Sequence, residues 1–266
     1  MDNINIGTMG WSYNFWVGNF YPERTKSNEY LTEYARQFGT VEIDNTFYRI
    51  PSKTSLEKWF KQTPPSFLFS AKFPQIITHR KMLKDCDSEL QLFLDRIFTL
   101  QSKLGPLLLQ FPPAFGPEKI FRLKDFLPTL PSNHKYAIEV RNRKIVNDKL
   151  YSVLIENNVA LTLSTNPFLP ETERITADFA YIRWEGDRNK VNGTFGKLEI
   201  DRTDDIKCWA NKIMRLLNKT TQVFGYFSKY YSGHPPTDVR TLLKSIGEIS
   251  YPKRTAQQKI NPSMHT

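Results

Sequence analysis

Val41-Glu42-Ile43-Asp44-Asn45-Thr46-Phe47-Tyr48-Arg49-Ile50-Pro51 is the stretch on which the reading of this chain turns. Val41 and Ile43 alternate with Glu42 and Asp44, so one face of a strand here is apolar and the other carries two carboxylates. Asn45, Tyr48 and Arg49 follow at once, and Pro51 ends the run. Such a strand is either an exposed edge or the lip of a polar pocket. The segments on either side decide between the two.

Working outward, period-2 or short apolar runs predict further strands at residues 3–9, 67–73, 107–111, 136–141, 160–165, 179–184 and 222–228. Between them, helical spacing predicts helices at 27–38 (capped by Ser27 and closed by Gly39), 52–62 (capped by Ser52), 85–103, 118–127, 147–157, 201–217 and 236–246. The proline-containing segment after the sixth strand is expected to hold one helical turn at most. Eight strands alternating with helices in about 250 residues predict a parallel TIM-type (β/α)8 barrel. The expected organisation is one barrel domain over 1–251 and a basic, disordered tail over 252–266. An open doubly wound sheet is the alternative, but no Gly-x-Gly-x-x-Gly follows any strand.

In a closed parallel barrel one parity of each strand faces the helices and the other faces the interior, and function collects at the C-terminal strand ends. The apolar parity (Val41, Ile43; Phe67, Phe69, Ala71, Phe73; Ile138, Val140; Ile182, Trp184) is assigned outward. That leaves Glu42 and Asp44, Ser70 and Lys72, Leu108 and Gln110, Glu139 and Arg141, Tyr181, Arg183 and Glu185 inside. Buried charges of this kind must pair, face water or bind something. They form either a neutralising salt-bridge network or a site.

Read as a site, Lys72 serves as general acid or electrostatic clamp, and Glu42 or Glu139 as general base. Arg141 and Arg183 hold a carboxylate or phosphate, and Trp11, Tyr13 and Tyr48 stack on a sugar or base. Asp44, Asn45, His79, Gln110 and Glu185 complete the substrate-binding set. The expectation is an enzyme acting on a small anionic or polyhydroxylated substrate by general acid/base chemistry. One alternative is a metal-assisted hydrolase or isomerase, with a divalent metal on Glu42, Asp44, Glu139, Glu185 and His79. The other is a non-catalytic protein that binds nucleic acid. No further cofactor is expected: a P-loop and a Gly-x-Ser-x-Gly elbow are both missing. The loop over 186–197 is glycine-containing and basic and could serve as a lid.

Several segments together resemble the YecE-like family, also called domain of unknown function 72. They are Gly7-Thr8-Met9-Gly10-Trp11-Ser12-Tyr13, Phe20-Tyr21-Pro22, the stretch from Val41 to Tyr48, Lys72-Phe73-Pro74 with Ile77-Thr78-His79, Leu104-Gly105-Pro106 and Gln110-Phe111-Pro112-Pro113. The resemblance implies a TIM barrel and no established activity. The second half departs from the family pattern. Thr165 stands where the family has Asp, Glu185 where Arg-x-His-Gly has His, and Ser228 within what is typically Phe-Asn-Asn. Arg141-Asn142-Arg143-Lys144-Ile145 replaces a typical Arg-His-x-Ser-Trp.

The 266 residues carry a formal net charge of +10, which favours anionic partners. Cys86 and Cys208 form no metal or disulfide motif. No apolar run reaches the roughly 20 residues of a membrane helix, and no signal-like segment opens the chain. A cytoplasmic protein without a membrane partner is the expectation.

Overall fold

A computed structural model describes residues 3–166 and 174–250. The expected tail and most of the proline-containing segment after the sixth strand lie outside the described residues.

The strands are β1 (Ile4–Met9), β2 (Thr40–Ile43), β3 (Leu68–Lys72), β4 (Leu104–Phe111), β5 (Tyr136–Val140), β6 (Ala160–Leu161), β7 (Leu163–Ser164), β8 (Phe179–Trp184) and β9 (Gln222–Phe227). All pairs are parallel, in the order β6-β5-β4-β3-β2-β1-β9-β8-β7. The two ends of this sheet are consecutive in the chain, so the sheet curls into a TIM-type barrel.

Nine strands replace the expected eight because the sixth is broken at Thr162. Ala160 and Leu161 pair with Ala137 and Ile138, whereas Leu163 and Ser164 pair with Ile182 and Arg183. On the open side of β6 the Thr176 hydroxyl stands in for a neighbouring strand: it accepts from Leu161 N at 2.8 Å and donates to Val159 O at 2.7 Å. A side chain distant in sequence thus satisfies backbone groups that a ladder would otherwise hold.

The helices are α1 (Tyr30–Ala35), α2 (Lys53–Gln62), α3 (Asp87–Ile97), α4 (Ile120–Phe126), α5 (Asp148–Glu156), α6 (Thr203–Leu217), α7 (Lys229–Ser232) and α8 (Pro235–Ser250). Ser52 caps α2 by accepting from Ser55 N, and Asn147 caps α5 by accepting from Leu150 N. Two expectations fail. Ser27 does not cap α1, whose N-cap is Glu29, and Gly39 is not in a left-handed conformation. The long helix expected over 85–103 ends at Ile97 and continues as a 3-10 segment bent at Gln101, where φ is 46°. Among the described residues no helix is long and apolar enough to cross a membrane.

Parity sorts the core into two shells. Val41, Ile43, Phe69, Ala71, Ile138, Val140, Ile182 and Trp184 belong to the shell packed between sheet and helices. Leu68, Leu108, Ala137, Phe179, Phe224, Tyr181 and Tyr226 fill the barrel interior. The interior changes character along its axis. Phe179 and Phe224 plug the N-terminal end, their rings 6.0 Å apart. Hydroxyls follow: Ser70 Oγ meets Tyr181 OH at 2.7 Å, and Thr40 Oγ1 meets Tyr226 OH at 2.9 Å. Charge occupies the C-terminal end, as expected where loops can open a mouth.

Candidate functional site

Arg183 is the centre of that charged layer. Inward parity on β8 brings its guanidinium to the barrel axis, where burial is nearly complete. Its Nε donates to Glu42 Oε2 at 3.1 Å and its Nη2 to Glu42 Oε1 at 2.9 Å, and its Nη1 donates to Glu139 at 2.6 Å and to Glu185 at 2.7 Å. Tyr181 OH also donates to Glu42 Oε2, at 2.7 Å, and Gln110 Nε2 donates to Glu139 at 2.6 Å. Glu42 and Glu139 are thus held from several sides below the mouth. The cationic partner of Glu42 is Arg183, from the far side of the barrel.

Lys72 stands apart from this cluster. Its Nζ is 3.5 Å from Asp44 Oδ1 and 4.0 Å from the centre of the Phe47 ring. Asp44 Oδ1 is buried without a hydrogen bond, and its second cation, Arg183, is 3.7 Å away. The turn Asn45–Phe47 after β2 brings Phe47 over the amine and against the His79 ring, at 4.8 Å. His79 sits in a π-helical turn (Ile76–Arg80), with Nδ1 2.9 Å from Thr78 Oγ1.

Above these groups opens a cavity of about 570 Å³ at the C-terminal strand ends. Of the residues singled out in the sequence, Tyr13, Asp44, Tyr48, Lys72, His79, Gln110, Arg141, Arg183 and Glu185 line it. Arg141 reaches Glu139 and Glu185 at 3.3 Å each while staying partly exposed.

Trp11 and Asn45 do not line this cavity. Trp11 is buried, with its ring 5.0 Å from Trp59 in an edge-on contact, which removes it from the rim where it was expected. The reason is local: Trp11 follows Gly10, whose φ of 82° redirects the chain after β1. Both residues instead border a smaller adjoining cleft of about 230 Å³.

Arg188, Lys229 and Tyr230 are among the residues of the mouth that were not singled out as site members. Arg188 and Lys229 lie 4.7 and 5.1 Å from the Tyr230 ring centre. Their signal was position alone, since each follows a barrel strand within a few residues. Ser228, in the segment where the family pattern differs, accepts from Tyr230 N and caps α7. Thr165 is engaged at the barrel seam, where its N donates to Arg183 O and its hydroxyl to Glu185 O.

The charged layer sorts its protons unequally. Burial opposes the Glu139 carboxylate, but Arg183, Arg141 and Lys72 outweigh it and hold Glu139 down at about 2. For Glu42 burial wins over Arg183 and pushes the carboxyl up, and burial with the Glu139 charge does the same to Glu185. Burial holds the Lys72 amine below the ordinary lysine value, and Arg183 adds to that effect against Asp44. Burial, with Lys72 and Arg141 nearby, lowers His79 to about 4, so its imidazole is neutral at neutral pH. Among the described residues no three His, Cys, Asp or Glu side chains are placed to hold a metal ion. The guanidinium of Arg183 occupies the space between the carboxylates that a cation would share.

A parallel barrel with this ionic layer beneath an open mouth defines a TIM-barrel protein with a charged cavity at its C-terminal face. The chain belongs to the family described as Protein of unknown function DUF72, which matches residues 5–261. It is 37% identical over 139 residues to the UPF0759 protein YecE of Escherichia coli (strain K12), covering 52% of this chain and 48% of that protein. It is 35% identical over 159 residues to the UPF0759 protein YunF of Bacillus subtilis (strain 168), covering 56% and 54%. The matches span about half the length of these curated relatives. A crystal structure of a DUF72 family protein from Thermotoga maritima superposes with a TM-score of 0.75 at 24% identity, covering 92% of this chain and 99% of that one. That likeness is one of fold.

Proposed function

We propose that this chain is an enzyme that holds a small anionic substrate in the barrel mouth and acts on it by general acid/base chemistry. One observation carries the reading. The mouth is lined by five cationic side chains, Lys72, Arg141, Arg183, Arg188 and Lys229, against two carboxylates, Asp44 and Glu185. Arg183 is already neutralised by the buried glutamates, so the surplus positive charge sits at the opening, where a phosphate or carboxylate can reach it. Arg141 and Lys229 bind the anion in this scheme. Lys72 and the neutral His79 are the groups that move protons, since burial places neither firmly in its charged form.

Metal-assisted hydrolysis or isomerisation has less support, because Glu42, Glu139 and Glu185 are already engaged by arginines. Nucleic-acid binding draws on the same cations and predicts a steep loss of oligonucleotide affinity with salt.

Thermal-shift measurements with sugar phosphates, small carboxylates, neutral sugars and single-stranded oligonucleotides test the proposal. Small anions are expected to raise Tm, and Arg141→Ala to weaken that rise. A shift produced equally by neutral sugars, or one indifferent to Arg141→Ala, overturns it.

A further inference from the structure

We infer that Lys72 is a nucleophilic amine that forms an imine with the carbonyl group of a small oxo acid held in the barrel mouth. This rests on the anion-binding reading of the same cavity and adds the class of substrate.

The geometry sets Lys72 apart from every other cation of the layer. Arg183 takes Glu42, Glu139 and Glu185 at 2.6 to 2.9 Å, and Arg141 shares two of them. That leaves Lys72 with one carboxylate contact among the described residues, at 3.5 Å, although its side chain is only 7% exposed. A buried ammonium so poorly matched loses little by giving up its proton. The amine nonetheless borders the cavity, and the Phe47 ring, its centre 4.0 Å from Nζ, fixes its direction. An amine that is both less protonated and accessible from one side is the arrangement that attacks carbonyl carbon.

Asp44 Oδ1 supplies the proton relay. It is buried, has no hydrogen bond, and is the carboxylate oxygen in contact with Nζ. The Lys72 nitrogen adds to the carbonyl carbon, forming the C–N bond, and Asp44 carries one of the two amine protons to the carbonyl oxygen to give a carbinolamine. Asp44 then takes the second nitrogen proton and delivers it to the hydroxyl as the C–O bond breaks, so that water leaves and the neutral imine remains. Nothing is oxidised or reduced. The cationic rim at Arg141, Arg188 and Lys229 holds the acid group of the same molecule, which is why an oxo acid fits better than a neutral carbonyl compound.

The test treats the full-length protein with pyruvate, and separately with dihydroxyacetone phosphate, in the presence of cyanoborohydride near neutral pH, followed by peptide mapping. The Lys72 peptide is expected to carry the mass of the carbonyl compound less one oxygen atom. Its labelling should exceed that of surface lysines several-fold, because burial leaves more of this amine unprotonated than of an exposed one. The excess should shrink as pH rises and surface amines deprotonate, with Asp44, Glu42, Glu139, Arg183 and His79 as the charged or titratable groups around Lys72. Lys72→Met should abolish the adduct. If that variant does not fold, the wild-type map decides alone. Adducts spread over surface lysines with the Lys72 peptide unmodified overturn the inference. If the probes raise Tm but leave Lys72 unlabelled, anion binding stands and the imine falls; if they do neither, both fall.

Discussion

Arg183 and Glu42 meet inside the barrel through two donors, Nε at 3.1 Å and Nη2 at 2.9 Å, with both side chains almost wholly buried. A buried pair of this kind is weak evidence for stability in itself, but removing one member strands the other. Here the stranded groups would include Glu139 and Glu185 as well. Arg183→Met is therefore expected to destabilise the fold by about 3–5 kcal/mol in urea unfolding. Adding Glu42→Gln to it should recover part of that loss. A cost below about 1 kcal/mol for the single variant would mean that water reaches the carboxylates in the folded state.

Glu139 sets the acid limb of the stability profile. Its carboxyl is lowered from an ordinary 4.5 to about 2, so its contribution is fully present above pH 4.5 and is lost as pH falls toward 2. Glu139→Gln removes that contribution. The urea midpoints of wild type and variant are expected to differ most at pH 5 and to converge by about pH 2, with a gap of about 3 kcal/mol at most. A gap that stays constant with pH would assign the role of Glu139 to packing. Glu42, shifted the opposite way, titrates in both proteins and largely cancels in the difference, whereas Glu185 does not, because part of its rise comes from the Glu139 charge that the variant lacks.

Asp238, on α8 outside the mouth, carries a carboxyl pushed by burial to about 8, although Ser232 donates to it at 2.5 Å. A carboxyl raised in the folded state stabilises below its unfolded value of 3.8, and that contribution is lost as pH climbs to 8. The neighbouring His234, lowered by burial to about 4 from 6.5, produces the reverse slope between those values. The clean window is therefore pH 6.5 to 8. There the wild type is expected to lose stability by up to about 1.4 kcal/mol per pH unit, and Asp238→Asn to flatten the slope. An unchanged slope would place the titration elsewhere.

The alternation of Val41 and Ile43 with Glu42 was enough to orient β2, and the same period-2 logic sorted inward from outward residues on the other strands. Distance around the barrel was not legible. Glu42 lies beside Ser70 in register, yet its ionic partner comes from β8, because an arginine is long enough to cross the barrel axis. The break at Thr162 was hidden for a similar reason, since the Thr176 hydroxyl that stabilises it comes from an irregular segment rather than a strand. Trp11 misled because an aromatic beside a glycine reads equally well as rim or core. Arg188, Lys229 and Tyr230 were visible as residues just past strand ends, but only the fold brings them into one mouth.

Gly186 ties the two halves of that mouth together. A Cβ at this position would come within 1.6 Å of Tyr230 O and 2.5 Å of Tyr231 N, so the loop after β8 passes directly against the backbone of α7. Its φ lies outside the left-handed region, so the requirement is one of space and not of backbone conformation. Backbone cannot yield as a flexible side chain can, and Gly186→Ala must push the segment carrying Lys229 and Tyr230 away from the barrel. A loss of about 1–3 kcal/mol is expected in urea unfolding, typical of overpacking. The stabilisation by small anions in the thermal-shift assay should weaken as well, because Lys229 moves with the segment. Gly186→Ala with full stability and an intact response to anions would show that the loop and α7 can separate without cost, and Lys229 would then lose its place among the anion-binding groups.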